Sequence, residues 1–173
     1  MKIPTRFFIY AAILILFAAV PYLITVKYYL HLSILALVWV IAAQGQNLIQ
    51  GYTGYVSIVQ AGFMGIGAYS TALTGMHFGL PVWMTIALAP LITAIFALMT
   101  GYPSLRVKGH YFAIVTLAFN MVIFIILLNF TDLTNGEAGL TGIPKPGGGK
   151  EGLLNFADRK VYYYFVLTVS YTH

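Results

Sequence analysis

Gln44, Gln46, Asn47 and Gln50, then Ser57 and Gln60, then Asn120 are the side chains that could do chemistry inside an otherwise apolar stretch of this sequence. All are neutral. A carboxamide or hydroxyl held in hydrocarbon must find a hydrogen-bond partner, either on a neighbouring helix or in a solute passing between helices. The chemistry open to them is recognition without proton transfer. They suit a polar, uncharged passage for a small zwitterion or amide, or hydrogen bonding between helices. The same stretch holds no acid, and the first acidic residue is Asp132. Carboxylate relays that would couple transport to a proton or cation gradient are therefore missing from it.

Other chemistries fail on their residue types. Gly149-Lys150 cannot complete a phosphate-binding loop, because Pro144 stands where the first glycine should be and Glu151 where Mg²⁺ needs a hydroxyl. Gly65-Ile-Gly67-Ala-Tyr-Ser70 lacks the third glycine of a dinucleotide fingerprint. His31, His77, His110 and His173 are too dispersed to hold a metal ion, and there is no cysteine for thiol catalysis, iron–sulfur clusters or disulfides. No catalytic residue, metal or cofactor of the chain's own is expected. The net charge is +5, but its nine Lys and Arg are scattered between apolar runs without forming a basic stripe. The expected partner of such a surface is the lipid bilayer and not nucleic acid.

The elements that must position these side chains are membrane helices. No Asp, Glu, Lys or Arg occurs across residues 28–105, and hydrophobic residues make up 60% of the chain against 8% charged. A soluble domain needs more surface charge than that, whereas each charge at a helix centre in a bilayer costs roughly 2.5–3.5 kcal/mol on insertion scales. About 20 residues at a rise of about 1.5 Å cross a hydrocarbon core of about 30 Å. On that measure the fold class is an all-α polytopic membrane protein with spans near 7–26, 29–49, 56–76, 82–101 and 111–130. Pro21 and Pro90 sit inside spans, where kinks are expected. Residues 7–20 continue into further apolar sequence without a good cleavage site, so they read as an uncleaved first span and not as a secretory signal. After Lys160 a last apolar run reads as a sixth helix cut short, so residues 1–173 are expected to be an N-terminal fragment of one membrane-spanning domain.

Residues 131–159 differ in kind, since they hold all four acids and Pro144 and Pro146. They read as an extramembrane loop long enough to have a function. Lys2 and Arg6 favour a cytoplasmic N-terminus, which puts Arg106 and Lys108 inside and the 131–159 loop outside. Between residues 61 and 75, Ala61, Gly65, Ala68 and Ala72 recur at helical steps, and Gly67, Thr71 and Gly75 form a second small line. Small faces let membrane helices approach closely. Close packing and contact with a passing substrate are both open to them.

Three blocks resemble one family in order. They are 51–69 (GYTGYVSIVQAGFMGIGAY), 103–119 (PSLRVKGHYFAIVTLAF) and 133–144 (LTNGEAGLTGIP), and together they resemble the LivM-type permeases of branched-chain amino-acid ABC transporters. The resemblance covers roughly residues 45–147. It implies a transmembrane subunit of an ATP-driven bacterial importer in the inner membrane, working by alternating access. The implied partners are a sister permease subunit, two cytoplasmic ATPase subunits that bind ATP and Mg²⁺, and a periplasmic amino-acid-binding protein. On this reading Ser57, Gln60, Gly62, Gly65 and Asn120 line or shape the substrate pathway, and Ala61, Gly65, Gly67, Ala68 and Ala72 pack helices. Arg106 and Lys108 anchor the cytoplasmic end, while Asn135, Gly136, Glu137, Gly139 and Gly142 face the binding protein. Val59, His110 and Asn120-Met121 depart from the family pattern, so urea or short amides are the alternative cargo. A stand-alone passive channel or carrier is the rival from another class.

Overall fold

The computed structural model describes residues 17–22, 26–144 and 158–172, and among these it is all-helical. The long helices are α1 (Lys27–Thr53), α2 (Gln60–Phe78), α3 (Val82–Ser104) and α4 (His110–Asn129). A short α5 (Thr131–Thr134) and a 3-10 turn (Gly136–Ala138) follow, then α6 (Arg159–Thr172). Of the expected first span, only 17–22 and residue 26 are described; residues 17–22 are helical, with Pro21 buried.

Among the described residues three helices are long and apolar enough to cross a membrane: α1, α3 and α4, with mean hydropathies of 1.7, 2.2 and 2.6. They show large apolar side chains outward, among them Leu91, Leu98 and Ile114, each more than 60% exposed. Such a surface suits lipid and would not stay dispersed in water. α2 is not among the three, because glycine, serine, threonine and alanine take the place of large aliphatic residues. It is the central helix. A Cβ placed on Gly67 would lie 3.5 Å from Thr93 Oγ1, and one on Gly75 3.9 Å from Thr85 Cγ2, so α2 and α3 run antiparallel. On its other side Gly62 meets Asn120 and Ile123 while Gly65 meets Leu127, so α2 and α4 run parallel. Val59, Ile66 and Ile123 form the buried core of this group. A second core joins Leu30, Ile34 and Leu37 of α1 to Tyr163 and Val166 of α6.

The third span begins later than the expected 56–76. Gly54 takes a left-handed φ of 70° and closes α1, its N–H donating to Gln50 O at 2.9 Å. Residues 54–59 are then non-helical, and helix resumes only at Gln60. Val56, Ile58 and Val59 are β-branched, which weakens a helix here. The break runs alongside the first turns of α4. The Tyr55 and Phe112 rings lie 4.8 Å apart, Ile58 N–H donates to Thr116 Oγ1 at 3.1 Å, and Gln46 Nε2 donates to Ser57 O at 2.6 Å. Irregular backbone beside a membrane helix needs such partners, since lipid offers none. Thr116 is 3% exposed. Thr116→Val should therefore leave the Ile58 N–H unpaired and destabilise the protein by about 1–3 kcal/mol, with Thr116→Ser close to wild type. Thermal unfolding in detergent reads the difference.

The expected open loop at 131–159 is partly built. Thr134 Oγ1 donates to Leu127 O at 2.6 Å and accepts from Gly136 N–H at 3.2 Å, tying α5 and the 3-10 turn back onto the end of α4. Residues 139–144 then return over α2, where Pro144 Cγ lies 3.5 Å from a Cβ placed on Gly75.

Candidate functional site

Gly62, Gly65 and Asn120 come together. With Ala61 and Tyr69 of α2 and Met121, Ile123, Phe124, Leu127 and Leu128 of α4, they line a cavity of about 440 Å³. Ala61, Met121 and Phe124 are exposed, so it is a groove open along one side. Its walls are almost wholly apolar, and Asn120 carries the one carboxamide among them. Asn120 Oδ1 lies 3.0 Å from a Cβ placed on Gly62. Among the described residues its amide makes no hydrogen bond. A partly buried amide that pairs with no described residue can bind a solute that offers both donors and acceptors.

Ser57 and Gln60 lie elsewhere, toward α1. Ser57 is buried in the break before α2, and Gln60 Nε2 rests 2.9 Å from a Cβ placed on Gly45. Gln44 and Asn47 line a separate surface cavity of about 530 Å³ with Gly51 and Tyr52. The Oε1 atoms of Gln44 and Gln46 are buried without a hydrogen-bond partner among the described residues. No side chain caps the N-terminus of α2.

The small residues divide by face. Gly67 packs on Thr93, and Gly65 packs on Leu127 at 3.3 Å from a placed Cβ. Ala72 is buried whereas Ala61 and Ala68 are exposed within this chain. Ala68 and Ala72 line a smaller cavity of about 220 Å³ with Tyr69, Leu140 and Ile143. The residues sequence reasoning missed are Tyr69, Ile123 and Leu127, which look in the sequence like any other apolar helix residues.

Arg106 and Lys108 are exposed in the link between α3 and α4. The Arg106 guanidinium lies 4.9 Å from the Tyr102 ring centroid, and its Nη2 donates to Tyr102 Oη at 3.0 Å. At the far end of α4, Asn135 takes φ 60° and its Nδ2 donates to Gly139 O at 3.1 Å, while Gly136, Gly139 and Gly142 have φ of 57°, 68° and 77°. Gly136 is buried and Glu137 exposed.

A family model described as "Branched-chain amino acid transport system / permease component" matches residues 28–172. The chain belongs to this permease family. It is similar to the high-affinity branched-chain amino acid transport system permease protein LivM of Salmonella typhimurium and to that of Escherichia coli. Each is 36% identical over 135 residues, which is 78% of this chain. The chain spans about a third of the length of these curated relatives, 32% of each. No solved structure matches. The matched region of this permease runs from α1 to α6, so the groove, the break before α2 and the 131–144 segment all lie inside it.

Proposed function

We propose that this chain forms part of the transmembrane permease of an ATP-driven importer of branched-chain amino acids, with the α2–α4 groove as the substrate passage. The family match over residues 28–172 carries the transport class. The groove supports the cargo: apolar walls suit an aliphatic side chain, and the Asn120 amide, which pairs with no described residue, suits the ammonium or carboxylate of an amino acid.

The family match supports the rest of the division of labour. The chain's apolar spans hold no carboxylate for ion coupling, so partner ATPases supply the energy, with ATP and Mg²⁺ bound there. A sister permease completes the passage, and alternating access moves the helices around it. Arg106 and Lys108 lie on the cytoplasmic side. The 135–142 segment, at the opposite end of a helix of 20 residues, faces a periplasmic binding protein. In proteoliposomes holding the permease with its partner subunits, leucine, isoleucine and valine should accumulate only when ATP is supplied. Leucine uptake that proceeds without ATP would overturn the ATP-driven reading, and uptake of urea or acetamide in its place would overturn the cargo.

A further inference from the structure

Along the face of α2 that opens into the groove, Ala61, Gly62, Gly65, Ala68 and Ala72 are small, and Tyr69 is the one bulky side chain among them. Tyr69 lines two cavities: the groove of about 440 Å³ that holds Asn120, and the cavity of about 220 Å³ bordered by Leu140 and Ile143. Its ring is partly buried, and its hydroxyl makes no hydrogen bond to a described residue. The second cavity exists because 139–144 folds back over α2. Gly139 and Gly142, at φ 68° and 77°, turn the backbone on either side of Leu140 and Thr141, and Pro144 settles against Gly75.

We propose that Tyr69 is the specificity-determining residue of the passage, its ring setting the bulk of amino-acid side chain that can move between the groove and the space under the 139–144 segment. A solute leaving the Asn120 end of the groove along α2 meets glycine and alanine on that helix until the phenol, which lines both cavities. A ring at that junction leaves room for a branched aliphatic side chain and opposes an aromatic one. This inference rests on the reading of the groove as the passage.

The test uses the transporter assembled with its partner subunits and one saturating binding protein, and reads the ratio of initial leucine to phenylalanine uptake. The ratio does not depend on how much permease is present. Tyr69→Ala should lower it by about tenfold or more, the range over which pocket size discriminates substrates. Tyr69→Phe keeps the ring and should keep the wild-type ratio. If Tyr69→Ala does not reach the membrane, Tyr69→Leu takes its place, with a smaller fall expected. An unchanged ratio in the truncated variant overturns the proposal, as does a Tyr69→Phe variant that shifts as far as alanine, since the hydroxyl would then be selecting. A wild-type transporter that takes up no leucine with ATP present removes the passage reading itself, and this inference with it.

Discussion

Gly62→Leu should abolish accumulation of folded permease and leucine uptake together. A single added Cβ would already stand 3.0 Å from both Asn120 Oδ1 and Ile123 Cδ1, and 3.5 Å from Ile123 Cβ. The first two are ends of side chains that can turn aside, so Gly62→Ala is expected to cost about 1–3 kcal/mol, the usual range for overpacking. Leucine branches just beyond that crowded Cβ, where the Ile123 Cβ is fixed to the backbone of α4 and Gly62 is itself buried. The helices would have to separate, opening the core of Val59, Ile66 and Ile123. Gly51→Ala is the control: nothing lies within 4 Å of a Cβ there, and alanine favours a helix. Detergent-extracted yield and thermal unfolding check both arms. A Gly62→Leu protein with wild-type yield and stability would remove close approach of α2 and α4 from the account.

How much of this was legible in the sequence varies by element. The helices expected at 29–49, 82–101 and 111–130 are found as Lys27–Thr53, Val82–Ser104 and His110–Asn129, because charge-free apolar runs bounded by glycine, proline and basic residues leave few alternatives. A connection was expected at 50–55, and its shift to 54–59 was not legible. Val56, Ile58 and Val59 are as apolar in an irregular segment as in a helix, so hydropathy does not mark where the next helix starts. The segment's stabilising partners, Gln46 and Thr116, come from two other helices, and sequence spacing does not reveal them. Gly54 followed by a β-branched run was the available signal.

The small-residue helix is a similar case. Its richness in glycine and alanine announces close packing, but small residues occur on several faces, so periodicity does not say which face meets which neighbour. Gly62, Gly65 and Gly67 meet α4 or α3, while Ala61 and Ala68 look into cavities. Ala61→Leu would accordingly fill the groove and not wedge two helices apart. The fold-back of 139–144 was likewise hidden. It depends on left-handed glycines that a loop could use in many ways, and on the fit of Pro144 against Gly75, over 60 residues away. For the site, Asn120 was legible as an amide stranded in a span of mean hydropathy 2.6, and Gly62 and Gly65 as its small companions. That Ser57 and Gln60 belong with α1 follows only from the break.

The central claim, that the groove around Asn120 is the substrate passage, is tested most directly by replacing that one amide. Asn120 makes no hydrogen bond to a described residue, so removing it leaves no described group unpaired, and Asn120→Leu should fold at wild-type level. If the amide binds the polar end of the cargo, its loss costs about the 1.5–3 kcal/mol of a hydrogen bond to a charged group, roughly ten- to a hundredfold in rate. Initial leucine uptake by the assembled, ATP-supplied transporter, normalised to the amount of permease in the membrane, should fall by that factor in Asn120→Leu and by less in Asn120→Gln. Normalised uptake equal to wild type in Asn120→Leu would contradict the account and place the passage elsewhere in the molecule.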